Sequence, residues 1–201
     1  MEYINSWKSK EVFKKQLELN ISELNGNYPP HWYSFIKLIN TLNINDNFNI
    51  LDIGCGVGVY SELCNRHLKN VYYTGIDYSE EAILTAKNTW SERYTFINKD
   101  INDIDYDFIS KYDLVHMGAL LDVLPNADDI LDFILKFSIK YILISRIEIG
   151  DIENCYTYKA YDEITTYKYI HSKDNLLKTI YNNKYKILSM DGNNLLLEKL
   201  K

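Results

Sequence analysis

The chain has 201 residues, 46% of them apolar and 25% charged, which excludes a disordered or fibrous class and points to one globular domain. Its net charge is −6 and it has no Lys/Arg block, which argues against a nucleic-acid polyanion as main partner. No apolar run approaches membrane-spanning length and the N-terminus lacks a signal-peptide layout, so a cytoplasmic protein is expected. Cys55, Cys64 and Cys155 are odd in number, have no metal-ligand spacing and read as reduced thiols.

Residues 1–46 are expected to form a helical cap over the rest of the domain. Trp7, Val12, Phe13, Leu17, Ile21 and Leu24 recur at helical spacing, and Asn25-Gly26-Asn27 stops that helix. Pro29-Pro30 starts a second helix with Trp32, Phe35, Ile36, Ile39 and Leu42 on its apolar stripe. His31, in this cap, is a candidate substrate contact, with capping or packing as the alternative.

Residues 50–53 form an apolar run that reads as a buried strand, and 59–68 carry the periodicity of a helix. Between them lie Gly54, Gly56 and Gly58, where the chain must turn tightly and let a ligand approach the backbone. The free N–H groups of the helix start face the same crevice. The spacing is Gly-x-Gly-x-Gly, not the Gly-x-Gly-x-x-Gly of dinucleotide binders, and Asp52 stands just before the first glycine. That carboxylate repels a pyrophosphate and attracts a ligand carrying an ammonium group. Leu51-Asp52-Ile53-Gly54-Cys55-Gly56-Val57-Gly58 resembles motif I of the class I S-adenosylmethionine-dependent methyltransferases. The resemblance implies S-adenosylmethionine as cofactor and S-adenosylhomocysteine as product. It turns Asp52 towards the methionine end and makes Gly54, Cys55, Gly56 and Gly58 cofactor-binding residues.

Residues 71–77 form the second strand, ending in Asp77 about twenty residues beyond the glycine turn, where an acid meets a ribose diol. Ser79 is expected to cap the next helix and so leave Asp77 for the ribose. In the resembled family Asp77 and Tyr78 line the cofactor, Tyr78 lying against the adenine. The third strand, 94–98, leads to Asp100 and Ile101, which resemble the family's adenine contacts. The fourth, 112–117, holds His116 and Met117 and runs into Asp122; here the family places residues nearest the transferable methyl group. There is no Asn-Pro-Pro-Tyr-like run for amino-group methylation and no Pro-Cys pair for attack on cytosine.

Residues 128–139 read as a helix and 141–145 as the central fifth strand, after which Arg146 and Glu148 leave the ligand-binding edge, to meet substrate or to pair with each other. Residues 151–172 lose periodicity and are read as a substrate loop, with Tyr156 and Tyr161 offering flat faces to a sugar or aromatic acceptor; surface filler or a dimer contact are the alternatives. A helix over 173–183 and a hairpin about Asp191-Gly192 close the chain. The expected fold is a doubly wound, mostly parallel seven-stranded α/β sheet ending in that antiparallel hairpin, one domain with its Rossmann-like core over 47–201.

The resulting expectation is methyl transfer to an oxygen of a small acceptor, a sugar hydroxyl of a glycan or activated sugar first. A small-metabolite carboxylate or phenol is the alternative, and RNA a third. His116 is the first candidate base, since its ordinary pKa lies near neutrality; Asp122 is second, as base or orienter, and His171 third. Asp122, Asp128 and Asp129 are acidic neighbours without the pattern of a Mg²⁺ site, so no metal is assigned. Two other classes stay open, a nicotinamide oxidoreductase and a non-catalytic cofactor-binding module. A monomer or weak homodimer is expected.

Overall fold

The computed structural model describes residues 7–42, 44, 47–161 and 164–201. The N-terminal helix expected from residue 1 is seen as α1, Lys10–Asn25, and residues 1–6 lie outside the described residues. Helix α2 follows at Pro30–Ile39, its proline in the first turn where no N–H partner is needed. Strand β1, Phe48–Ile53, enters the glycine turn and helix α3, Val59–His67, leaves it. Then come β2 (Val71–Asp77), α4 (Glu80–Thr89) and β3 (Thr95–Asn98). After a single 3-10 turn, Ile101–Asp103, the order is α5 (Tyr106–Ile109), β4 (Leu114–Gly118), α6 (Ala127–Leu135) and β5 (Tyr141–Ser145). Strands β6 (Ile149–Gly150), β7 (Asn154–Ala160) and β8 (Ile164–Ser172) precede α7 (Lys173–Asn182), β9 (Tyr185–Asp191) and β10 (Asn194–Lys199).

The main sheet runs β3-β2-β1-β4-β5-β10-β9. Strands β1 to β5 are parallel to one another; β10 is antiparallel to both β5 and β9. This is the mostly parallel, seven-stranded, Rossmann-like sheet that the sequence implies, with β1 and β4 flanking the point where strand order reverses. Ligands of such sheets bind outside the strands' C-terminal ends there.

Alternation along each strand divides the core in two. Ile50, Tyr73, Leu114, Leu143 and Leu196 face Trp32 and Phe35 of α2, Leu63 and Cys64 of α3, and Ile83 and Ala86 of α4. Leu51, Ile53, Ile76, Val115, Met117, Ile142 and Ile144 face α6 and α7 through Leu131, Ile134, Leu176 and Ile180. Both sheet faces are covered, so the central strands read as near-continuous apolar runs.

Two expectations need correction. Helix α2 is not a cap: Trp32, Phe35, Leu38 and Ile39 are buried in the first core half, because an apolar stripe over more than two turns needs a sheet face to cover it. Helix α1 lies over the crevice, with Phe13 and Leu17 packed on Val57 and Ala82. Nor is 151–172 a loop. It supplies β7 and β8 of a three-stranded sheet in the order β6-β8-β7, and the long hairpin of β7 and β8 pairs as far as Ala160 and Ile164. That tip reaches α1: Val12 packs with Ala160 and Ile164, Trp7 meets Tyr161 edge-on at 6.3 Å, and Trp7 Nε1 donates to Thr166 Oγ1 at 3.1 Å.

Candidate active site

The glycine turn takes its shape from residues without Cβ. Gly54, Gly56 and Gly58 have φ of 71°, 52° and 80°, in the left-handed region that side chains resist. A Cβ at Gly54 would meet Leu120 Cδ1 at 2.8 Å, and one at Gly56 would meet Gln16 Oε1 at 3.0 Å. The turn therefore opens towards the segment after β4 and towards α1. The backbone N–H groups of Gly54 and Cys55 donate to Ile76 O, fastening the turn to β2.

Asp77 holds the same turn. Its Oδ2 accepts from Gly56 N at 3.0 Å and its Oδ1 from Ser79 N at 2.9 Å. The division of labour expected from sequence is reversed, since Ser79 makes no side-chain cap and Asp77 serves that helix start. A carboxylate has about four acceptor positions, so room for a ribose diol persists. Burial pushes the Asp77 carboxyl up to about 6, against the pull of the two N–H groups. Tyr78, next in the chain, is half-buried with Lys8 over its ring. Asp100 caps the 3-10 turn, its Oδ1 accepting from Asn102 N and Nδ2, and Ile101 is partly buried beside it. Cys55 is buried against Gly75, and burial pushes its thiol up.

Asp52 does not face the crevice. It has no exposed surface, and a buried chain of polar groups crosses β2, β1, β4 and β5 through it. Tyr73 Oη donates to Asp52 Oδ2 (2.5 Å), His116 Nδ1 lies 2.8 Å from Asp52 Oδ1, and His116 Nε2 lies 3.0 Å from Ser145 Oγ. Asp52 and His116 are direct partners across β1 and β4, so their side chains share a sheet face. Phe35 and Tyr60 stand against the imidazole at 4.8 and 4.3 Å. His116, first candidate base, is thus enclosed with both ring nitrogens engaged. Met117 is fully buried in the other half of the core, on the face turned away from His116.

The accessible charged groups gather at the ends of β4 and β5. Arg146 follows β5 at φ 66° and Ala119 follows β4 at φ 54°, two strained positions side by side at the crevice. The Arg146 side chain is 46% exposed and its Nη2 lies 3.3 Å from Asp122 Oδ2. Arg146 N donates to Asn194 Oδ1 (3.1 Å), and Asn194 Nδ2 donates to His31 O (2.7 Å). Asp122 is 8% exposed, and its Oδ1 is buried with no hydrogen-bond partner among the described residues. Burial pushes the Asp122 carboxyl up, against the pull of Arg146. Burial, then Arg146 and His116, hold the His31 imidazole down at about 4, so this ring is neutral at ordinary pH. Arg146 also acts electrostatically on Glu23, Tyr158 and Tyr161.

Other sequence candidates stand apart. Glu148 pairs with Lys168, not Arg146. Tyr156 is exposed on β7. His171 is fully buried at the foot of the hairpin, its Nδ1 2.5 Å from Asp128 Oδ1 and its ring against Tyr169. Sequence reading missed Ser145, Tyr73 and Gln16, none of which has a motif signal. Among the described residues no group of three or more His, Cys, Asp and Glu side chains is placed to hold a metal ion.

A glycine turn under a ribose-spaced acid, beside the end of β4, defines the nucleoside-binding sheet of a class I methyltransferase. The methyltransferase-domain family Methyltransf_31 matches residues 44–185. The chain belongs to that family, whose methyl donor is S-adenosylmethionine. It is 30% identical over 151 residues to a malonyl-[acyl-carrier protein] O-methyltransferase of Ilyobacter polytropus, covering 72% of this chain and 57% of that protein. It is 32% identical over 80 residues to a ubiquinone biosynthesis O-methyltransferase of Coxiella burnetii, covering 39% of this chain and 33% of that protein. The chain thus spans between a third and somewhat over half of these relatives. In fold it is similar to the magnesium protoporphyrin IX methyltransferase of Synechocystis PCC 6803, solved with S-adenosylmethionine bound. That likeness has a TM-score of 0.63 at 14% identity, over 98% of this chain and 91% of that one.

Proposed function

We propose that this chain transfers the methyl group of S-adenosylmethionine to an oxygen of a small acceptor, a sugar hydroxyl first. The observation that carries this reading is Asp122, with one carboxylate oxygen on Arg146 and the other buried without a donor. A carboxylate oxygen only accepts, and leaving it unmatched costs about 1–3 kcal/mol; an acceptor hydroxyl supplies the missing proton donor. The raised carboxyl makes Asp122 a better proton acceptor than an exposed aspartate. Tyr158 and Tyr161, under the field of Arg146, offer the flat faces that suit a sugar ring.

The cofactor brings a methyl carbon already activated by its sulfonium; the chain aligns the partners and takes the proton. Gly54 and Gly56 would let the amino-acid half approach the backbone, Gly58 lets the turn pack on Phe96 and Ala86, and Asp77 would receive the ribose hydroxyls. Asp100, Ile101 and Tyr78 would border the adenine. Asp122 takes the acceptor's proton while Arg146 steadies its charge, and His31 and Glu23 form the outer wall.

The second reading is a carboxylate acceptor. The half-exposed Arg146 guanidinium favours it, as does similarity to a malonyl-[acyl-carrier protein] O-methyltransferase. A carboxylate needs no base, so Asp122 decides between the two. We further propose a cytoplasmic monomer or weak homodimer.

The experiment is S-adenosylhomocysteine release by the purified protein with sugars, glycosides, malonyl thioesters, dicarboxylates, phenols and short RNAs, with and without EDTA. Product from a glycoside, lost in Asp122→Asn, supports the hydroxyl reading. Product from a malonyl thioester, insensitive to Asp122→Asn and lost in Arg146→Gln, replaces it with the carboxylate reading. Cofactor binding without any product favours the non-catalytic module.

A further inference from the structure

The sequence assigns the cofactor's ammonium group to Asp52, but that carboxylate is enclosed and committed to Tyr73 and His116. The zwitterionic end of S-adenosylmethionine therefore needs another acceptor above the glycine turn. Gln16, on α1, stands there. Its Oε1 lies 3.0 Å and its Nε2 3.3 Å from the place a Cβ would take on Gly56, so the amide lies over the turn at its barest point. That Oε1 is buried and has no hydrogen-bond partner among the described residues. A buried carbonyl oxygen without a donor is costly and marks a place for a donating ligand atom.

The amide is held in this posture from several sides. On the same helix Phe13 and Leu17 anchor α1 to Val57, inside the glycine turn, and to Ala82. The Tyr161 hydroxyl hydrogen-bonds with Gln16, and Lys15 Nζ donates to Tyr161 O at 3.2 Å. The hairpin tip thus orients Gln16 from above while the turn closes the space below.

We infer that Gln16 is a cofactor-binding residue, its side-chain carbonyl receiving the ammonium group of the methionine half of S-adenosylmethionine. On the other edge one N–H of the amide serves Tyr161, leaving the second for the cofactor carboxylate. Helix α1 becomes part of the cofactor site, and its seating on the turn is coupled to occupancy of the amino-acid half. This inference rests on the S-adenosylmethionine reading above, which wild-type binding of S-adenosylhomocysteine tests separately.

The experiment is calorimetry on the full chain with two ligands, S-adenosylhomocysteine and 5′-methylthioadenosine, the second having the nucleoside and no amino-acid half. A hydrogen bond to a charged group translates into roughly a ten-fold or greater change in affinity. Gln16→Leu is expected to weaken S-adenosylhomocysteine by that factor and leave 5′-methylthioadenosine unchanged, which also shows that the variant is folded. Gln16→Glu, which keeps an acceptor and adds charge, is expected to bind S-adenosylhomocysteine at least as well as wild type. An unchanged affinity of Gln16→Leu for both ligands, or an equal loss for both, would overturn the assignment.

Discussion

At the scale of single residues, the proposed chemistry rests on two aspartates that share one physical cause, desolvation of a carboxylate. Asp77 sits at about 6, so its ordinary charge is restored only above that pH. Protons bound to the folded but not the unfolded chain stabilise the fold at low pH. That contribution is present below the ordinary aspartate value of 3.8 and lost as pH rises through about 6. Ribose hydroxyls donate far more strongly to the ionised form, both of whose oxygens only accept. S-adenosylhomocysteine affinity, followed by calorimetry, is therefore expected to fall roughly ten-fold at pH 5 relative to pH 7.5. Asp77→Asn should abolish that pH dependence along with most of the affinity. Asp122→Asn keeps the shape and removes the base; turnover of a hydroxyl acceptor is expected to drop about 10²–10⁴-fold, with cofactor affinity unchanged in calorimetry. His116 makes a contrasting case, because truncating it strands a buried carboxylate. His116→Leu should cost about 3–5 kcal/mol in denaturant unfolding, whatever its role in turnover. His116→Gln at full turnover would rule out the imidazole as base.

At the scale of elements, what the sequence discloses depends on whether an element has two environments. Strands β1 and β5 are buried on both faces and read plainly as apolar runs; Asp191-Gly192 marks the β9–β10 turn with equal clarity. Strand β7 is exposed along Asn154–Lys159, so no alternation betrays it and it reads as loop. Helix α2 shows its apolar stripe in sequence, but a stripe names the buried face and not the surface it meets. The candidate site divides the same way. Glycine spacing and strand-ending acids declare the cofactor cradle. The Asp52–His116–Ser145 contact arises from β1, β4 and β5 lying side by side, an order that residue spacing does not encode. Gly58 combines a φ of 80° with a Cβ position 2.6 Å from Phe96 Cε1. Gly58→Ala is accordingly expected to cost roughly 2–4 kcal/mol, read as a lower midpoint in urea at unchanged slope.

At the scale of the whole molecule, the crevice is bordered by pieces from distant parts of the chain: the glycine turn, the ends of β4 and β5, α1 and the hairpin tip. A ligand that joins them stabilises all of them together. S-adenosylhomocysteine at a hundred times its Kd should add about 2.7 kcal/mol, a rise in Tm on the order of 5–10 °C for a chain of this size. A shift that does not grow with ligand concentration would argue against one shared site.

The hydrogen bond from Trp7 to Thr166 spans 159 residues of sequence. Helix α1 is among the earliest parts of this chain to leave the ribosome, and its partner in the hairpin is among the later ones. At about 5–20 residues per second, the interval is on the order of ten to thirty seconds. The glycine turn and the strand that orders it are therefore made well before their cover can be fastened. Its contacts with Val57 and Ala82 let α1 seat on the turn long before the hairpin that fastens it has been made.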